Sequence, residues 1–226
     1  MVHQSSELHW IRPPRQARTH QSLERLLDVA ETMLQDKNFD DIHVSEIASR
    51  AETSVAAFYR RFKDKDALLH ALHERRCEEG YATGEDALDP ARWDGASIVE
   101  ILSAVFPFLV EIFHSNESLD RAIFQRVLTD EQMRERSMKL NRYVVDGLSA
   151  LLLERSSEIN HPAPRTAVSF ALVQALAMLV HHYIVGIRDL MPVPLSDDQV
   201  ADELVKSCLG YLGVANPYVS FSTVSS

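Results

Sequence analysis

The chain has 226 residues, 25% of them charged and 46% hydrophobic, proportions of a folded globular protein that argue against wholesale disorder. Its 7 glycines and 9 prolines leave little room for a turn-rich sandwich, a barrel or a collagen-like array. The net charge of −10 is unevenly held: residues 1–76 carry 12 basic and 12 acidic side chains, residues 77–226 carry 11 and 21, so a surface for a polyanion belongs to the first third.

The stretch Met1–Glu7 is polar and offers no apolar export segment, and Cys77 and Cys208 form neither a CxxC pair nor a disulfide framework. Both features point to reduced thiols in a cytoplasmic protein. Arg12, Arg15 and Arg18 follow, with Pro13-Pro14 keeping the stretch extended. Residues 1–18 read as a flexible solubilising arm, with entry into a minor groove as the alternative.

Leu23, Leu26, Leu27, Ala30, Met33 and Leu34 recur at period 3.6 and predict a helix ending near Lys37-Asn38, with Asn38 as a left-handed C-cap. Val44–Arg50 predicts a short second helix with Ile47, Ala48 and Ala51 inward. After the break at Glu52-Thr53-Ser54, Val55–Phe62 predicts a third, with Phe58 and Phe62 on one side. Asp64 is placed to cap a fourth, continued by Leu68, Leu69 and Leu72. Asp89-Pro90 and Asp94-Gly95 make residues 84–95 a predicted loop. Longer helices are predicted at about 96–114, 118–128, 130–157, 164–188 and 197–213, with Pro107 kinking the first. No alternating strand exceeds four residues, so the fold class is all-α. The span Thr166–Ile187 has 22 residues without a formal charge, enough to cross a bilayer. It also contains Gln174 and His181-His182 and lacks a basic flank, so it reads as a buried core or subunit-interface helix, not a membrane segment.

Two short helices joined by a tight turn and held on a longer first helix make a helix-turn-helix layout. Within it stand Leu26, Ala30, Phe39, Ile47-Ala48, Ala51, Ser54, Phe58-Tyr59, Phe62, Lys65 and Leu68-Leu69, and Ser45–Leu69 reads SEIASRAETSVAAFYRRFKDKDALL. On these residues the stretch 23–72 resembles the DNA-binding domain of the TetR family of transcriptional repressors. Glu52-Thr53 replaces the family's Gly-Val in the turn, His43 the Thr opening the second helix, and Val55-Ala56 the Lys-Gly of the recognition helix. Glu52 then either takes a turn without positive φ or carries strain. Capping of the second helix falls to Ser45 or is weak.

The resemblance implies a homodimeric regulator with a helix-turn-helix domain over 19–66, a larger effector-binding and dimerising bundle over 67–215, and a tail over 216–226. Its first recognition turn, Ser54 to Ala57, would meet base edges. Ser54 can hydrogen-bond, and Val55, Ala56 and Ala57 can touch only apolar groups such as the thymine methyl. Tyr59 and Lys65 match phosphate-contacting positions, and Ser45 and Arg60 complete the expected DNA face. A cation in the first turn of a helix, as at Lys65, opposes the macrodipole, which a phosphate partner would explain. Taken alone, the run Arg60, Arg61, Lys63, Lys65 reads as solvated surface; the helix-turn-helix around it turns the reading toward nucleic acid.

The later helices carry no glycine-rich phosphate loop, no HExxH and no GxSxG, so neither an enzyme nor a cofactor is expected. His70, His73 and Cys77 share one helix face, but one helix rarely supplies a whole metal site, and they read as packing residues. By the same resemblance, a small effector releases the protein from operator DNA. Phe106, Phe124, Tyr143, Gln174 and Met178 are the candidate lining, suited to a flat or hydrophobic molecule. Two helices from each subunit, with Ala175, Leu179, His182, Leu204 and Leu212, would form the dimer interface. The alternatives are an all-α enzyme with its site in the later bundle, and a DNA-binding adaptor without an effector.

Overall fold

The computed structural model describes residues 17–215. The bulk of the N-terminal arm, with Arg12 and Arg15, and the tail 216–226 lie outside the described residues. Among these residues all regular structure is helical: α1 (Ala17–Leu34), α2 (Val44–Arg50), α3 (Val55–Arg61), α4 (Lys65–Ala87), α5 (Ile98–Ser115), α6 (Glu117–Val127), α7 (Glu131–Leu153), α8 (Pro164–Leu179) and α9 (Asp197–Leu212). The all-α expectation holds. The chain packs as two units, one of residues up to 82 with 118–140, the other of 83–117 with 141 onward.

In the first unit, α1 buries the whole predicted stripe from Leu23 to Leu34. It stops at Leu34, ahead of Lys37-Asn38. Asn38 is extended (φ −67, ψ 149) and caps the N-terminus of a 3-10 turn, Phe39–Asp41, so it is not a left-handed C-cap. The buried Phe39 ring draws the chain inward there. One core joins α1–α4 to α6 and the start of α7, with Leu26, Ile47, Phe58, Phe62, Leu68, Ile123 and Met133 among its members. Asp64 caps α4 through the Ala67 amide (2.8 Å), as its position predicts. Arg75 of α4 pairs with Asp28 (2.7 Å) and Glu31 (2.8 Å) of α1.

The predicted loop over 84–95 is largely helix, since α4 runs to Ala87. Gly84 within it and Gly80 just ahead of it are points of close approach, not breaks. A Cβ on Gly80 would stand 2.9 Å from Leu140, and one on Gly84 2.5 Å from the Tyr143 ring. The connection proper is short: a 3-10 turn Pro90–Trp93 capped by Asp89, then Gly95 at φ +73.

In the second unit, α5 and α9 begin with reciprocal capping boxes, Ser97 with Glu100 and Ser196 with Gln199, which satisfy amides otherwise left orphaned. α5 continues through Pro107. α5, α8 and α9 pack together through Leu102, Phe106, Leu172, Leu204 and Leu209. α8 widens into a π turn, Val180–Val185, closed by Gly186 at φ +87. Ile98–Ser115 and Pro164–Val185 are each long and apolar enough to cross a membrane, yet both bury faces within this unit.

Candidate nucleic-acid interface and effector region

The helix-turn-helix is assembled by its apolar residues. Phe58 and Phe62 are fully buried, with centroids 5.0 Å apart, and they fix which side of α3 faces out. That side carries Ser54, Val55, Ala56, Tyr59 and Arg60, all exposed, with Ala57 half-buried at its edge. Ser54 is the N-cap and accepts the Ala57 amide at 3.1 Å. Its hydroxyl hydrogen stays available to an acceptor. The face therefore offers hydroxyl, methyl, phenol and guanidinium groups in one surface.

The turn between α2 and α3 closes by Thr53 N–H onto Ala48 O (2.9 Å), a Schellman-type closure that requires a left-handed residue. Glu52 supplies it at φ +51, the one non-glycine with positive φ among the described residues. Strain is thus the outcome of the two readings. His43 is the N-cap of α2, and its side chain caps nothing. Ser45 lies inside the helix, exposed, and does not take over that role.

Lys65 points inward. Its ammonium donates to the carbonyls of Phe39 (2.8 Å), Asp40 (3.0 Å) and Ile42 (3.1 Å) and lies 4.8 Å from the centre of the Phe39 ring. The cation in the first turn of α4 thus has an intramolecular reason, where the macrodipole argument called for a phosphate. Arg126 of α6 reaches the same turn, 2.5 Å from Asp40 and 3.5 Å from Asp66. No sequence signal links Arg126 to Asp40 across 86 positions; only the fold does. Arg61 is half-buried, and burial followed by the neighbouring Arg60 charge lowers its pKa.

His70, His73 and Cys77 line up along α4, but each has other company. His70 Nε2 is 3.0 Å from Asp130, and His73 lies between Arg136 and Ser137. Burial pushes the Cys77 thiol up to about 11, which leaves it protonated and unreactive. Among the described residues no three His, Cys, Asp or Glu side chains stand where they would hold a metal.

In the second unit a cavity of about 480 Å³, widely open to solvent, is lined by Gly84, Glu85, Leu88, Asp89, Tyr143, Asp146 and Gly147. Of the five predicted ligand contacts only Tyr143 is there. Phe106 is fully buried core, Gln174 is exposed on the outside of α8, Met178 is half-buried, and Phe124 belongs to the first unit. Periodicity identified apolar helices but not which turns leave space between them. The predicted interface residues Ala175, Leu179, His182, Leu204 and Leu212 are all buried within the single chain, because they form the inner seams of α8 and α9. The face left open carries Phe170 (56% exposed) and Val173 (54%) with Gln174 and Ala177 of α8 and Tyr211 of α9. The Phe170 and Tyr211 rings are 5.5 Å apart.

Residues 26–72 match the profile of bacterial regulatory proteins, tetR family. Comparison with curated proteins gives no match. Among solved structures, the chain resembles a protein of Mesorhizobium loti assigned to the TetR family of transcriptional regulators, with 16% identity, 88% of this chain and 98% of that one covered, and a TM-score of 0.65. It also resembles the TetR family transcriptional regulator PfmR of Thermus thermophilus (20%, 85% and 99%, 0.60). A third likeness is to SmeT, the repressor of the Stenotrophomonas maltophilia multidrug efflux pump SmeDEF (20%, 90% and 96%, 0.61). At these identities the likeness is one of fold, extending from the helix-turn-helix through the later bundle.

Proposed function

We propose, from the TetR-family DNA-binding domain that residues 26–72 form, that the chain is a sequence-specific transcriptional regulator acting as a homodimer on operator DNA in the cytoplasm. The observation that carries the reading is the outer face of α3. Ser54, Val55 and Ala56 stand exposed at its first turn with Tyr59 and Arg60 one turn on, the placement that puts small side chains at base edges and larger polar ones at phosphates. Ser45 of α2 adds a hydroxyl donor to the backbone contacts. This is a binding role, and no catalytic one is assigned.

The dimer is best supported through the open face of α8 and α9, where Phe170, Val173 and Tyr211 leave apolar surface uncovered. Two helices from each copy would close it as a four-helix, two-fold contact. Such a dimer binds half-sites about 34–36 Å apart. Selection of bound fragments from random duplex DNA tests the reading. A palindromic consensus with half-sites about one helical turn apart supports it, and recovery of no consensus sinks it.

The second unit is assigned the reception of a small apolar effector that releases the DNA, on the strength of its aromatic interior of Trp93, Phe106 and Tyr183. Those side chains fill the interior, so a ligand enters only as they move apart. That observation favours a second reading, an adaptor that binds DNA and senses nothing. Thermal shifts with a hydrophobic compound library separate the two: a stabilising compound that weakens operator binding supports the sensor.

A further inference from the structure

We propose that Lys65 positions the DNA-binding fold without touching DNA, and that Lys63 is the cation that meets the phosphate backbone beside α3. The inference rests on the DNA-binding reading above. A lysine ammonium has three N–H donors and no acceptor. All three of Lys65 are spent on Phe39 O, Asp40 O and Ile42 O. Reaching a phosphate oxygen would mean giving up one of these bonds and leaving a carbonyl behind, so the exchange gains little.

The three carbonyls span the turn that feeds α2 through His43, while Lys65 opens α4. Its ammonium therefore ties the entrance of α2 to the entrance of α4, and α3 is strung between those two points. Losing that tie loosens the frame that sets the angle of α3.

Lys63 is the contrast. It stands exposed in the bend between Phe62 and α4 and makes no hydrogen bond or ion pair with another described residue. The carboxylate beside it, Asp64, is committed to the Ala67 amide. Lys63 stands two residues beyond Arg61, the last residue of α3, across the extended Phe62 (φ −107, ψ 134), so it lies just past the end of that helix. A flexible, hydrated point charge there suits a phosphate.

Two full-length variants, Lys63→Met and Lys65→Met, are compared with the unaltered chain on the duplex recovered by selection, across a salt series. Lys63→Met is expected to keep its melting temperature, lose roughly tenfold in affinity and reduce the slope of log K against log salt by about 1. Lys65→Met is expected to melt several degrees lower. At a temperature where circular dichroism reports full folding, it should lose roughly tenfold in specific affinity at an unchanged slope, with binding to random duplex barely altered. A slope loss of about 1 in Lys65→Met with none in Lys63→Met overturns both assignments. A Lys65→Met that melts lower but binds with full specific affinity is merely structural and overturns the positioning role. An unaltered chain that selects no duplex sinks the DNA-binding reading itself, a failure seen before any substitution is made.

Discussion

His73 and Arg136 meet with Nδ1 and Nη1 3.2 Å apart, while Nε2 of the same ring lies 2.9 Å from Ser137 Oγ. A guanidinium only donates, so Nδ1 is the acceptor and the ring proton sits on Nε2, donated to the serine. The contact fixes one neutral tautomer, and protonation would set two donors against each other. Burial first, and then the Arg136 charge, lower the His73 pKa to about 3.

This depression has a sign. Between about pH 3 and 6.5 the unfolded chain binds more protons than the folded one, so stability rises with pH. The contribution is complete above the unfolded pKa and is lost as pH falls toward the folded one. At pH 5 the loss is on the order of 2 kcal/mol, a fall of roughly 4–8 °C in melting temperature from pH 7. Burial lowers His70 and His182 as well, which adds to the fall. Replacing His73 with Gln should remove a large share of it. Thermal melts of both proteins from pH 7 to 5 check this, and equal falls would place the pH response elsewhere.

Glu52 holds φ +51, which costs a residue with a Cβ about 1 kcal/mol. Its pairing with Arg25 at 3.8 Å is exposed on both sides and contributes little. Glu52→Gly should therefore stabilise by about 0.5–1 kcal/mol, while Glu52→Ala, keeping the Cβ, should not. Urea unfolding of the pair of variants measures the difference. Equal midpoints would show that the turn is not strained.

The inner and outer sides of α8 should answer differently to a carboxylate. Val173→Asp, on the open face, should leave a folded protein that sediments as a monomer. Ala175→Asp places a charge at a site 4% exposed, which costs about 3–5 kcal/mol and should yield unfolded or insoluble chain. Sedimentation velocity with circular dichroism separates these outcomes. A Val173→Asp dimer of unaltered affinity would move the interface off this face.

The sequence was most informative where apolar residues repeat at helical spacing without interruption. The α1 stripe, the span of α2 and the Asp64 cap are all found where the pattern places them. It misled at glycine, because a composition signal cannot tell a chain break from a close contact. Gly80 and Gly84 sit in mid-helix against Leu140 and Tyr143, whereas α5 continues through Pro107, as expected. The surroundings of Lys65 were hidden for another reason: its charge was legible, but the three carbonyls it meets lie 23–26 residues away. In α8, the run from Phe170 to Leu179 is apolar except for Gln174, so the pattern could not separate the seam holding Ala175 from the open side holding Phe170.

The π turn Val180–Val185 ends α8 in a wider backbone ring than the α-helix before it, and Gly186 at φ +87 closes it. Tyr183 lies within that turn: its hydroxyl donates to Asp197 at 2.6 Å, and the other oxygen of Asp197 lies 3.0 Å from His114. One carboxylate at the start of α9 thus ties the end of α8 to α5, so a change at Asp197 releases two helices at once.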